Sequence, residues 1–377
     1  MNWPQFKRGL ARRISKVVPL RWTTTAKLAA RDPASWTEIF PAVPAPWPAA
    51  LPSGPLPRVM AEKCFPHVGA KGVLRLRHAF VSTSHGWVFT RGGWRVLDLS
   101  HYSALVEVAP RERLPFPRFK ARRLRGTTLS LLSTWGAFNY FHFLLEALPR
   151  LELFQRAGLD WDTVDHVLLP DFHSPTADRM TAGLKLPAEK LIRIGKDESF
   201  FVQADELLCP SFPGERRIVA PWAVEFIRRV RAQPTTRTGR RLFVPRRARN
   251  RFLRNEAAIW QQLSAAGFER FDPASEDQAE DAFHAADFVV GVHGAGMANL
   301  AFCRPGTRVL ELMPSDHCVP FYLSLATGGG LEYDCLVGQS EKDVPRPPHE
   351  EYNSPYDFDV SPEIFAQRLA WLLGGSK

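Results

Sequence analysis

The sequence predicts an α/β protein with two sheet-and-helix domains in tandem and a β-meander at the front of the first, and three stretches carry that prediction. Beyond Arg217, short apolar runs alternate regularly with longer helical patterns. Between His166 and Pro210, the weaker runs "HVLLP", "LIRIG" and "DELLCP" suggest an earlier unit of the same kind. From Gly72 to Ser100 the chain is β-rich and broken at His85-Gly86 and Gly92-Gly93, the punctuation of antiparallel hairpins. Parallel neighbours need long crossovers, which helices supply, so the alternation predicts parallel sheets, and two such units leave a cleft between them. With 377 residues, 45% of them apolar, the chain has material for two ordinary cores.

Taken in order, residues 1–60 read as a basic arm followed by a proline-rich linker. Lys7, Arg8, Arg12, Arg13, Lys16, Arg21, Lys27 and Arg31 precede the first acid, Asp32. They interleave with Trp3, Phe6, Leu10, Ile14, Val17 and Val18. Such a segment suits an anionic membrane surface, and a solvated arm or a partner-docking helix suits it equally. Seven prolines between Pro41 and Pro57 block helix and central strand and favour an extended linker or strap. Residues 61–216 then form the N-terminal domain, 217–355 the C-terminal domain and 356–377 a closing helix.

Within 217–355, "RRLFVP" (240–245) is a strand and "NEAAIWQQLSAAG" (255–267) a helix with Ile259, Leu263 and Ala266 on one face, closed by glycine. "ERFDP" is the next strand. Ser275 and Gln278 form a capping box for a helix through Ala286. The strand "FVVGV", a helix after Gly296 and the strand "RVLELM" follow.

Composition removes several classes. The five cysteines are scattered and never in a C-x-x-C pair, which argues against a disulfide framework or a zinc site and for a cytosolic chain. No stretch approaches the roughly 18 apolar residues of a membrane span, and no secretory signal is recognisable, so a cytoplasmic location is expected. The net charge of +10 invites a nucleic-acid or anionic-polymer partner, but the charge is locally clustered and no nucleic-acid module pattern is present.

The chemistry concentrates in two places. His293 follows directly on "FVVGV", where ligands of open parallel sheets sit. Gly294, Ala295 and Gly296 let the backbone turn and approach a ligand, and the first amides of the following helix, with Asn299 in its first turn, offer an anion seat. Arg246, Arg247 and Arg251 lie beyond the end of a neighbouring strand, and guanidinium forks match phosphate oxygens. Glu311, near the end of "RVLELM", suits a ribose diol. Together these describe a nucleoside diphosphate site, while G-A-G-M-A-N lacks the third glycine of a dinucleotide fingerprint. A tight βα turn, a solvated basic loop and a satisfied turn histidine are the plainer readings of the same residues.

The second place is "FNYFHFLLEALPRLELF" (138–154), apolar almost all round, with Asn139, His142, Glu146 and Arg150 as one polar stripe lining a cleft or a polar network. Pro149 should bend or end this helix. His142 suits a general base with Glu146 as its orienting carboxylate, and a purely structural clamp is the alternative. The triplets "DWD" (160–162) and "DFD" (357–359) suggest metal ligands only weakly, since neither ends a strand beside the glycine turn.

"NYFHFLLEALPRL", the pair Arg246-Arg247 followed by Asn255-Glu256, and "VGVHGAGMANLAFCRPGTRVLELMP" together resemble the bacterial branch of glycosyltransferase family 61, over roughly Asn139 to Pro314. The departures are Pro245 where serine often precedes the arginines, Phe143 for tryptophan and Met297 for leucine. The resemblance implies a GT-B-like plan of two Rossmann-like domains, the first on the acceptor side and the second binding the nucleotide-sugar. It also implies inversion, a UDP-sugar donor, and a glycan or lipid-linked acceptor in capsule or surface-polysaccharide synthesis, while the basic arm suits peripheral contact with the inner membrane surface. His142 is then the base, with Asn139 and Arg150 on the acceptor side. Arg246, Arg247, Arg251, His293, Gly294, Ala295, Gly296, Asn299 and Glu311 hold the donor, with no metal or other cofactor expected. A non-enzymatic anionic-polymer or nucleic-acid binder and a catalytically idle assembly partner are the competing readings.

Overall fold

A computed structural model describes residues 21–101, 121–215, 218–231, 238–247, 250–274, 276–340 and 356–374. The first 20 residues of the basic arm, Ser275 of the expected capping box, and Arg249 lie outside them. The described chain is mixed α/β with three sheets and divides into two units. Of the described residues, those within Met1–Ala42, Gly69–Phe172 and Leu186–Arg216 form one unit. Those within Val43–Val68, His173–Lys185 and Arg217–Lys377 form the other.

The N-terminal unit carries a ten-stranded sheet. The strand β1 (Lys71–Arg77) precedes the expected meander, which is present over β2 (Phe80–Ser82), Val88–Phe89 and Arg95–Val96, paired antiparallel in turn with Gly86 and Gly93 at positive φ in the turns, whereas β1 does not pair with β2. Four strands behind it, β3 (Ala121–Ser130), β4 (His166–Pro170), β5 (Leu191–Ile194) and β6 (Phe201–Pro210), run parallel in the order β6-β3-β4-β5. The strands β1 and β2 pair antiparallel with β6. A wholly parallel Rossmann-like sheet is therefore not what this unit is: its parallel core of four is extended on one side by antiparallel strands. The hairpins of the meander cannot supply the long crossovers that parallel pairing needs.

The C-terminal unit has a six-stranded sheet of β7 (Arg240–Val244), β8 (Glu269–Arg270), β9 (Ala286–Val292), β10 (Arg308–Pro314), β11 (Glu332–Ser340) and β12 (Phe358–Asp359). The order is β8-β7-β9-β10-β11-β12, parallel except for β12. One face packs α4 (Glu256–Ala265) and α7 (Pro362–Leu372) through Phe243, Ile259, Leu263, Val290, Leu310, Phe365 and Leu369, all buried. Each such side chain contributes about 1.5–3 kcal/mol relative to exposure. The helix α4 ends as expected, with Gly267 at φ +76° beyond it. On the other face α3 (Pro221–Val230), α6 (Phe321–Gly329) and a 3₁₀ helix (Ala295–Phe302) pack together.

Several segments differ from expectation. Gln278, placed inside a capping box, is itself left-handed at φ +58° and makes no capping bond to α5 (Ala279–Ala285). The helix after Gly296 begins at Ala295 and is 3₁₀. The proline-rich stretch is bound to the C-terminal unit. Val43–Pro44 pairs with His67–Val68, the Ser53 hydroxyl donates to Asp334 Oδ1 at 2.7 Å, and Lys63 Nζ donates to the Cys318 carbonyl at 3.0 Å. Residues 61–68 thus group with the later sheet. So does α2 (Pro175–Gly183), where Arg179 and Thr176 both bond Glu280. Nor does the C-terminal stretch stand apart, since β12 pairs with β11 and α7 covers the core. Long-range hydrogen bonds of this kind leave no periodic trace in sequence.

One position sets the geometry at the end of β9. A Cβ on Gly291 would lie 1.9 Å from Met297 Sδ in the 3₁₀ helix, so the strand and the following turn meet only because residue 291 has no side chain. Gly291→Ala is expected to cost about 1–3 kcal/mol by overpacking, measured by urea denaturation at neutral pH.

Candidate active site

The order β8-β7-β9-β10-β11 reverses direction between β7 and β9, which makes the carboxyl ends of these two strands a topological switch point. Arg246 lies two residues beyond β7 and His293 one beyond β9. The register pairs Val244 with Gly291, Gly291 with Glu311 and Glu311 with Cys335. Side chains two apart share a face of a strand. His293, Glu311 and Tyr333 therefore project on the same face and meet.

His293 Nδ1 lies 2.5 Å from Glu311 Oε1, and the Tyr333 hydroxyl donates to Glu311 Oε2 at 2.5 Å. Glu311 is fully buried with both oxygens engaged, which corrects its expected role as ribose ligand: it orients His293 from within the sheet. With Nδ1–H donating to the Glu311 carboxylate, Nε2 is the lone-pair nitrogen of the ring. Burial holds His293 below the ordinary imidazole range despite Glu311, and the charges of Arg251 and Arg246 lower it further. His317 and Tyr322 pack on its ring at 5.0 and 5.4 Å, and the Tyr322 hydroxyl donates to the Gly294 carbonyl at 2.5 Å.

Arg246 is buried, and it donates through Nη1 to the His293 carbonyl at 2.8 Å and through Nη2 to Asn250 Oδ1 at 3.1 Å. Gly294 is extended, at φ 173°, so its requirement is room: a Cβ there would sit 2.3 Å from Arg246 Nη1. Gly296 has only ordinary contacts at that position. The expected arginine pair does not act together. Consecutive residues of an extended chain point opposite ways, and Arg247 is exposed, 3.9 Å from Glu256. Arg251, at φ +61°, takes the place beside Arg246 instead. Burial, then the charge of Arg246, pushes Arg251 down to about 9; burial lowers Arg246 likewise. Among the described residues no carboxylate forms an ion pair with either, and Arg251 Nε is buried without a hydrogen-bond partner. Asn299 is fully buried and donates to the Gly296 carbonyl at 2.9 Å, which braces the turn.

In the N-terminal unit the chain leaves β3, turns through Thr134–Phe138 and enters a π-helix, His142–Ala147, followed by α1 (Arg150–Arg156). The expected α-helix is interrupted because Pro149 has no N–H for the Leu145 carbonyl and its ring crowds that oxygen. The ladder shifts, and Leu148 N donates to the Phe143 carbonyl five residues back, at 3.2 Å.

Two of the four stripe residues stay together. His142 Nδ1 lies 2.8 Å from Glu146 Oε2, and both are buried. His101, which nothing in its sequence context singles out, lies 3.7 Å from Glu146 Oε1. Burial would raise the Glu146 carboxyl, but His142 and His101 hold it well below the usual range. Asn139 accepts from Phe141 N at 3.0 Å and caps the helix start. Arg150 is turned inward, fully buried over the Phe212 ring, and donates to the carbonyls of Leu132 and Pro210. It braces the unit and is no cleft residue. The aspartate triplets are also occupied: Asp160 accepts from Asp162 N, Asp357 from Phe252 N, and Asp359 pairs with Arg254.

Two outcomes follow from these networks. Tyr333→Phe leaves one oxygen of a buried carboxylate unbonded and is expected to cost about 1–3 kcal/mol by urea denaturation. Glu146 has a lowered folded pKa, so its contribution is complete above its unfolded value and is lost as pH falls toward the folded one. The stability difference between wild type and Glu146→Gln should therefore shrink as pH drops below about 4.3, read by urea titrations from neutral to acidic pH.

No curated protein matches the chain. Residues 140–310 match the family model described as Glycosyltransferase 61. That span starts at the His142–Glu146 helix, takes in Arg246, Arg251 and His293, and stops one residue before Glu311. It supports a glycosyltransferase.

Proposed function

We propose that the protein is an inverting glycosyltransferase that moves a sugar from a nucleoside-diphosphate sugar, a UDP-sugar on the family resemblance, to a hydroxyl of a glycan or lipid-linked glycan. Capsule or surface-polysaccharide synthesis is the setting that resemblance implies, and the basic arm suits the cytoplasmic face of a membrane. No helix of the described residues is long and apolar enough to cross a membrane. The C-terminal unit, with its parallel strands and switch point, suits the nucleotide-binding half of a GT-B plan.

One observation carries the reading: Arg246 and Arg251 are desolvated at that switch point and, among the described residues, form no carboxylate ion pair, beside the glycine bend that opens the 3₁₀ helix. Two buried cations side by side, each lowered by burial and Arg251 lowered further by the charge of Arg246, suit an anion, because a diphosphate would offset both the burial cost and that repulsion. The first amides of the following helix add donors. In transfer with inversion, the acceptor hydroxyl loses its proton to a base as its oxygen bonds the anomeric carbon, while the C–O bond to the diphosphate breaks on the opposite side. His142, oriented through Nδ1 by ionised Glu146, is the base. Arg246 and Arg251 hold the charge that collects on the departing diphosphate, the task a divalent metal performs elsewhere, so metal independence is part of this reading.

The test is calorimetry with UDP alongside transfer assays. Arg246→Ala and Arg251→Ala should each weaken UDP by about 10–100-fold, the worth of a charge-assisted bond. His142→Ala should bind UDP as wild type does and lose transfer. Wild-type protein stabilised by duplex DNA and untouched by UDP would reverse the reading.

A further inference from the structure

We propose that His101 is a positioning residue of the transfer reaction: it stands against the second oxygen of Glu146 and so keeps that carboxylate turned on His142 Nδ1. The inference rests on His142 being the base.

The carboxylate is held from two sides. Its Oε2 lies 2.8 Å from His142 Nδ1 and its Oε1 3.7 Å from His101 Nδ1, and all three side chains are buried. Each imidazole faces a different oxygen, so the carboxylate has little freedom to rotate away from the ring it orients. His101 is itself firmly seated. Its ring lies parallel to that of Phe212, 4.2 Å away with 1° between the planes. Its carbonyl accepts from Trp87 Nε1 at 2.9 Å and from the Thr134 hydroxyl at 3.1 Å. A side chain needed only to fill this space could be apolar, whereas an imidazole loses its hydration there and recovers that cost only by interacting with the carboxylate. Trp135 and Phe141 meet the His142 ring edge-on at 5.1 and 5.4 Å, so the base is confined as closely as its partner.

The charged groups that act on Glu146 are His142 of its own helix, His101, and Arg150 of α1, whose donors go to carbonyls and to Cys209 Sγ. Beyond His101 stands Glu215, which pairs with Lys71 at 2.9 Å and accepts from Gly69 N at 3.0 Å; His101 acts on this carboxylate too. Burial by itself would push the Glu146 carboxyl up, and the two histidines outweigh it. Removing His101 takes one of them away, so Glu146 should bind its proton at higher pH. A neutral carboxyl no longer stabilises the imidazolium that forms on His142 during transfer.

The test compares His101→Leu with His101→Asn, whose Nδ2 can take the place of the imidazole Nδ1. Turnover is read between about pH 5 and 8, as UDP released from UDP-glucose, UDP-galactose, UDP-N-acetylglucosamine and UDP-glucuronic acid. UDP calorimetry, melting temperature and carboxyl ¹³C NMR of glutamate-labelled protein accompany it, the Glu146 signal being identified by its loss in Glu146→Gln. His101→Leu should lower kcat at least about tenfold, part of the roughly hundredfold or more that a general base contributes. Its acid limb and its Glu146 titration should both move up by about one pH unit, with UDP affinity and melting temperature held. His101→Asn should recover most of the lost rate. A Glu146 titration in His101→Leu that matches wild type, equal impairment of both variants, or a rate loss confined to a variant that also melts early would overturn the proposal. Wild-type turnover in His142→Ala would remove the base assignment and the positioning role together, whereas an unmoved titration beside an inactive His142→Ala would remove the positioning role alone.

Discussion

A guanidinium taken out of water must be answered by something, and in the C-terminal unit Arg246 is answered by carbonyls. Its bonds to the His293 carbonyl and to Asn250 tie the end of β7 to the end of β9 across the switch point. They engage part of its five N–H donors and leave its charge uncancelled. Gly294 follows from that arrangement, since the guanidinium occupies the space its side chain would take. Gly291 follows one step earlier, by letting Met297 lie against the strand. The motif "GVHGAGM" is thus a packing prescription as much as a chemical one.

Each unit also buries a histidine against a glutamate, and the two pairs differ in their surroundings. Glu146 is shared between two imidazoles, whereas Glu311 is shared between an imidazole and a phenol. An imidazole whose Nδ1 is held by a carboxylate presents a basic Nε2. His293 stands under the charges of Arg246 and Arg251, which makes its protonation unfavourable, and that suits it to contact with a ligand already held by cations. Beside the His142–Glu146 pair, Arg150 is the described arginine whose charge couples to Glu146, and its donors go to the carbonyls of Leu132 and Pro210 and to Cys209 Sγ.

Much of this was legible before any coordinates. The runs "LFV" and "FVVGV" bounded by polar turns gave adjacent parallel strands, and of the arginine pair after the first only Arg246 lies against the glycine bend after the second, Arg247 being exposed. What was not legible depended on rotation and on distant partners. Which of Arg246 and Arg247 faces the bend depends on where β7 stops alternating. Arg150 left its stripe because the π-turn before Pro149 changes the angle at which the next helix starts. Glu311 read as available because Tyr333, which closes it off, arrives on a strand 22 residues later, and His101 carries no local signal at all.

The strap from Val43 to Val68 has an implication for how the molecule is made. Ser53 and its acceptor Asp334 are 281 residues apart in the chain, so during synthesis the proline-rich segment leaves the ribosome long before the strand that receives it exists. Contacts of such separation close late and slowly. A shortened gene beginning after the prolines would therefore not yield a cleaner catalytic module. It would strip an early-made piece from a late-made sheet.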